Sequence, residues 1–215
     1  MNPIVEIIVL IGVGFIAGSV NTLACGCSLL TLPMLIFLGL PPNIANGTNR
    51  IAILFQNIFT TAGFKSKGIT TFPFSIYLGI SALLGSIIGA QIAVDVSGET
   101  FNRILAGIMV VIVVYMVLKP KSKQLNIIEQ TSGKKMWVSI FLFFFVGIYG
   151  GFIQAGVGFI MLLILSSVNK LSLVKSNAVK VMVVLIYTVS AVAVFAYNDK
   201  INWKIGLTLA VGNAI

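Results

Sequence analysis

No histidine occurs anywhere in this 215-residue chain, and five acidic residues stand against fourteen Lys and Arg. Without imidazole, and with almost no carboxylates inside the apolar runs, acid–base and nucleophilic catalysis have few candidate players, so the sequence speaks against an enzyme. The only cysteines are Cys25 and Cys27. One residue apart, they are poorly spaced for a disulfide in regular structure. A soft metal would need further ligands, and no His completes a set. No phosphate loop or cofactor motif is present, so neither a metal nor a cofactor is expected. Charged residues make up 9% of the chain, where a soluble domain carries about 25%.

Apolar side chains fill the gap, at 58% of residues with a mean hydropathy of +1.09. Apolar stretches cover Ile4–Val20, Ser28–Leu40, Ile44–Phe64, Phe74–Val94, Phe101–Leu118, Met136–Ile148, Phe159–Val168, Leu173–Tyr197 and Trp203 onward. A full crossing takes about 20 residues of helix, so the second, sixth and seventh are short. Each pairs with a neighbour as a broken crossing or a re-entrant half-helix. The chain therefore reads as an all-α, polytopic helical membrane protein partnered by the lipid bilayer, in a cell membrane of the bacterial plasma-membrane kind.

The net charge of +9 does not point to nucleic acid, because most lysines sit in short loops between spans, as a topology signal does. The main polar segment, Lys119 to Lys135, carries five lysines against Glu129 and reads as a cytoplasmic linker. If each broken segment crosses once, the linker shares a side with Lys65, Lys67, Lys200 and Lys204, and the N-terminus is inside. If each crosses twice, it shares a side with Lys65, Lys67, Lys170 and Lys175, and the N-terminus is outside. The first case gives parallel repeats and the second inverted ones; the sequence leaves both open. Ile4–Val20 lacks a preceding Lys or Arg and so does not read as a signal peptide. The apolar run also continues past the lipoprotein-like Thr22-Leu23-Ala24-Cys25.

Small-residue clusters interrupt the apolar runs twice, at Gly14–Ser28 and at Gly147–Phe159. Exposed backbone is intolerable in lipid, so broken helices persist only where they are buried in protein or line a cavity. Paired breaks in two halves are a sequence pointer to a transporter's substrate site. The match extends further. Asn21 follows Gly18 as Gln154 follows Gly151, Thr48-Asn49-Arg50 aligns with Ser176-Asn177-Ala178, and Gly85-Ser86 aligns with Gly212-Asn213. This gives two repeats of about four helices, each with a broken first helix: 1–118, the linker 119–135, and an incomplete copy at 136–215. The second copy ends early, so a further helix and a half is expected in the full protein.

Gly14-Phe15-Ile16-Ala17-Gly18, then Ser28-Leu29-Leu30-Thr31-Leu32-Pro33, Gly39-Leu40-Pro41-Pro42 and Ala45–Asn49 resemble the sulfite exporter TauE/SafE family. Gly150-Gly151 to Phe159 and Ser176-Asn177-Ala178-Val179-Lys180 are similar to that family's second repeat. The resemblance implies a membrane transporter of sulfite, sulfoacetate or a related sulfur anion, with no particular substrate specified. Cys25 and Cys27 stand where the family has glycines.

Candidate site residues follow from the breaks. Asn21 and Gln154 are amides in apolar surroundings, suited to cap a broken helix or to meet a ligand. Gly26, Ser28, Gly156 and Gly158 border the resumed half-helices. Backbone amides at Ser28 and Phe159 carry the positive end of the helix dipole toward an anion. Thr48, Asn49, Ser176 and Asn177 add hydroxyl and amide donors. Arg50 and Lys180 are cations that either lie within the membrane or snorkel to its rim, and Arg50 is the better fork for an oxyanion. The ligand is a small anion, with a coupled proton or cation as its companion. The rival reading is a membrane thiol protein in which Cys25 and Cys27 handle sulfur, although their bland role is to stand in for glycine.

Overall fold

Lipid offers no partner to a backbone amide, and the apolar runs satisfy themselves as helices. The computed structural model describes residues 3–24, 28–118 and 129–214, with side chains described for 9–19, 30–114 and 129–213. The helices among the described residues are α1 (Pro3–Ala24), α2 (Ser28–Phe37), α3 (Pro42–Ser66), α4 (Phe74–Asp95), α5 (Gly98–Leu118), α6 (Lys134–Phe152), α7 (Val157–Ser167), α8 (Leu173–Tyr197) and α9 (Trp203–Ala214). Three of them, α4, α6 and α8, are long and apolar enough to cross a membrane. At 25 residues α3 is as long as α8, but Asn46, Asn49, Arg50, Gln56 and Asn57 dilute its apolar character.

The first glycines of each cluster lie inside helices, and the second cluster breaks only near its end, between Phe152 and Val157. Helix α6 runs through Gly147, Gly150 and Gly151 and ends at Phe152; α1 runs through Gly14 and Gly18 to Ala24. These glycines let helices touch backbone to backbone, as small residues do in membranes. A Cβ at Gly147 or Gly151 would strike the carbonyls of Ala82 and Ser86 on α4, and one at Gly85 or Gly89 would strike those of Phe144 and Ile148 on α6. The pairing of α1 with α9 repeats this pattern. Gly14 and Gly18 face the carbonyls of Leu209 and Asn213, and Gly212 faces that of Ile11. In both pairs the matched positions ascend together, so the helices run parallel.

The second broken segment, α6–α7, is a hairpin. The Gln130 amide donates to the Asn169 carbonyl at 2.8 Å, Asn169 Nδ2 donates to the Gln130 carbonyl at 2.9 Å, and Ser139 Oγ donates to Asn169 Oδ1 at 2.8 Å. The start of α6 and the end of α7 therefore share a side, which is the second of the two topologies left open by the sequence. Lys175 pairs with Glu129 at 2.8 Å on that side, and Gly68–Thr70 at the end of α3 line a recess with Ser172 and Lys175. The opposite side holds the start of α3: Thr48 Oγ1 accepts from the Asn202 amide at 2.9 Å, and Gly98 abuts Pro42. Helices α3 and α8 thus run antiparallel through the middle. One core gathers Leu78, Phe143, Met161, Val183 and Tyr187 from α4 and α6–α8. A second gathers Leu10, Leu35, Ala52, Phe101 and Leu209 from α1–α3, α5 and α9.

Candidate functional site

A helix end leaves its last carbonyls without amide partners, and the end of α6 is buried. Two α3 side chains one turn apart supply the missing donors. Asn46 Nδ2 donates to the Phe152 carbonyl at 2.7 Å. Arg50 donates from Nη1 to the Gly150 carbonyl at 3.0 Å and from Nη2 to the Gly151 carbonyl at 2.5 Å. Its Nη1 also donates to Gln154 Oε1 at 3.0 Å. The guanidinium lies 4.8 Å from the centroid of the Phe195 ring. Arg50 is 0% exposed, so it does not snorkel. Both ion pairs found among the described residues, Arg103–Glu99 and Lys175–Glu129, are at the surface. The charge of Arg50 is met by neutral oxygens.

The break itself is left-handed at two points, with φ of 61° at Gln154 and 72° at Gly156. Glycine takes that conformation without strain, and an added Cβ at Gly156 would also meet Ile112. Tyr149 donates its hydroxyl to the Ala155 carbonyl at 2.5 Å. Across Gly150 from Arg50 lies Tyr187, fully buried, its hydroxyl placed 3.0 Å from where a Gly150 Cβ would stand. Neither that hydroxyl nor Arg50 Nε has a hydrogen-bond partner, and the same holds for Asn49 Oδ1. Buried polar atoms normally have partners, and these three have none.

The sequence-expected residues separate into levels. Arg50, Gln154 and Gly156 gather at the α6–α7 break, with Gly158 buried in the first turn of α7. Thr48 is spent on the Asn202 amide. The Phe159 amide, expected to face an anion, donates to the Gly156 carbonyl at 3.0 Å. Ser176 Oγ donates to the Leu171 carbonyl at 3.5 Å near the opposite end of α8. Asn177 and Lys180 lie there too, each engaged by its surroundings. Ala178 and Met182 share a cavity wall with Thr61, so Lys180 is level with Thr61, about 16 Å along the axis from Arg50. One anion cannot touch both cations. Of the first break, Cys25, Gly26 and Cys27 lie outside the described residues, as do the side chains of Asn21 and Ser28. Its preceding helix is held by α3 as well, through Gln56 Nε2 donating to the Gly18 carbonyl at 3.0 Å.

Asn46, Gln56 and Tyr187 were missed in the sequence. The first two carried a signal, since amides recurring near Arg50 in an apolar helix are costly without a task. A single phenol within the apolar run of α8 carried none.

The family model described as sulfite exporter TauE/SafE matches residues 10–215. Among curated proteins, a probable membrane transporter protein of a Sinorhizobium species is 26% identical over 92% of this chain and 75% of its own length. One of Haemophilus influenzae is 26% identical over 96% and 80%. One of Escherichia coli is 25% identical over 95% and 75%. No solved structure matches at a significant level.

Proposed function

Because the chain belongs to the sulfite exporter TauE/SafE family, we propose that it is a transmembrane transporter of a small anion, a sulfur-containing oxyanion or organosulfonate. The observation that carries this reading is Arg50, a wholly buried guanidinium that donates only to neutral oxygens. A cation inside a membrane helix is expensive and marks a substrate path or a partner. The α6 carbonyls take its two terminal nitrogens and hold it in place. Its Nε–H is left to donate, and the Tyr187 hydroxyl is likewise without a partner. Two such donors bind an anion without holding it too tightly for release.

The same reading makes the two halves, 1–118 and 136–215, inverted copies around the linker 119–135. It is supported by the matched α4–α6 and α9–α1 pairings and by the antiparallel α3 and α8. The first break, with Asn21, Gly26 and Ser28, then offers the anion its second face, and Ser176, Asn177 and Lys180 serve it nearer the linker. Lys65, Lys67, Lys134, Lys135, Lys170 and Lys175 share the linker's side with Glu129, whereas Arg103, Lys200 and Lys204 on the other side are balanced by Asp95, Glu99 and Asp199. The positive-inside bias therefore makes the linker side cytoplasmic.

The test is uptake into proteoliposomes of sulfite, sulfate, sulfoacetate and taurine in parallel. Saturable uptake of at least one anion is expected. Uptake of zwitterionic taurine alone would sink the anion reading.

A further inference from the structure

Helix α3 carries a polar stripe that reaches well past Arg50. At about 100° per residue, Asn46, Arg50, Asn57 and Thr61 fall within roughly 60° of one another, on the face turned toward α8 and the α6–α7 break. Asn57 is 3% exposed, and its Nδ2 donates to the Ile53 carbonyl at 2.7 Å. At the linker end the stripe meets a cavity of about 70 Å³ bounded by Thr61, Lys65, Ile69, Thr70, Ala178 and Met182, among others. That is well above the roughly 10–15 Å³ that one water needs. The Thr61 hydroxyl is buried and has no hydrogen-bond partner. Ile69 and Thr70 also line an open recess of about 430 Å³ on the linker side, together with Gly68, Ser172, Val174 and Lys175.

A hydroxyl with nothing to bond, a lysine at the rim, and a lining shared with the open recess on the linker side together describe a waiting place. We propose that this cavity is a second anion subsite, the station through which the anion passes between Arg50 and the linker side. It takes a small oxyanion such as sulfite: Thr61 Oγ1 donates one hydrogen bond, Lys65 supplies charge, and the segment 68–72 borders both this cavity and the open recess. The inference rests on the transport reading, and it explains why α3 is polar along its length. A purely structural role for Arg50 requires Asn46 and Gln154 but not a hydroxyl about 16 Å away.

The experiment measures sulfite transport in right-side-out and inside-out vesicles, comparing the wild-type chain with Thr61→Val and Thr61→Ser. Thr61→Val keeps the volume and removes the donor. It should raise the apparent KM about tenfold for sulfite presented on the linker side and leave the other face unchanged. Thr61→Ser should behave as the wild type. An equal change on both faces, or none, overturns the subsite while leaving the transporter reading in place. If Thr61→Val does not reach the membrane, Lys65→Gln reads the same asymmetry. Wild-type vesicles that move no sulfite, sulfate or sulfoacetate overturn the transport reading and the subsite with it.

Discussion

Replacing Arg50 by methionine keeps an unbranched stem and removes every donor of the guanidinium. The site is wholly buried, so no water replaces them. The Gly150 and Gly151 carbonyls and Gln154 Oε1 lose their donor together. An orphaned buried acceptor costs about 1–3 kcal/mol, which for these bonds sums to roughly 3–9 kcal/mol. Removing a charge from within the membrane returns about 2.5–3.5 kcal/mol. The midpoints leave the variant about 3 kcal/mol less stable, so the helix-end bonds outweigh the relief of the charge. Arg50→Lys keeps the charge and up to three donors but loses the planar fork and Nε–H. It should cost only about 1 kcal/mol in stability and still lower sulfite uptake at least tenfold. Unfolding in detergent reads the first quantity and proteoliposome uptake the second. Wild-type stability of Arg50→Met would refute the capping role. Wild-type uptake by Arg50→Lys would refute donation from Nε.

Tyr187→Phe keeps the ring in its core cluster and deletes a hydroxyl that has no partner. Unfolding should be unchanged or slightly delayed, while the KM for sulfite rises about tenfold; lost stability with an unchanged KM would place the hydroxyl in the fold instead. Gly89→Ala drives a methyl into the Ile148 and Phe152 backbone and should destabilise by about 1–3 kcal/mol. Gly63→Ala meets open space and should be neutral or stabilising in the same melts. In a chain with Cys25 and Cys27 replaced by Gly, an impermeant thiol reagent should label Lys67→Cys and Lys175→Cys from the cytoplasm, and Lys204→Cys from outside. Labelling of all three from one face would overturn the hairpin topology.

Helical membrane character and family were legible from the sequence, because both rest on local facts: how apolar each run is, how long it is, and which small residues recur where. The place of the second interruption was legible as well, since the Gln154–Gly156 turn lies within the span that the sequence marked. What the glycines do was not. Gly147 and Gly151 look like a helix breaker in one dimension, and only the approach of α4 shows that they admit a carbonyl where a side chain would stand. The hairpin direction was equally hidden, since it depends on Asn169 returning to Gln130 across the length of α6 and α7. Arg50 stood out in the sequence as a cation where few belong. That its terminal nitrogens close the end of α6, leaving Nε without a partner, came only from bringing positions about a hundred residues apart into contact. Hydropathy and spacing act along the chain and can be read there; hydrogen-bond satisfaction of buried groups is a property of what surrounds them, and tertiary structure alone supplies the surroundings.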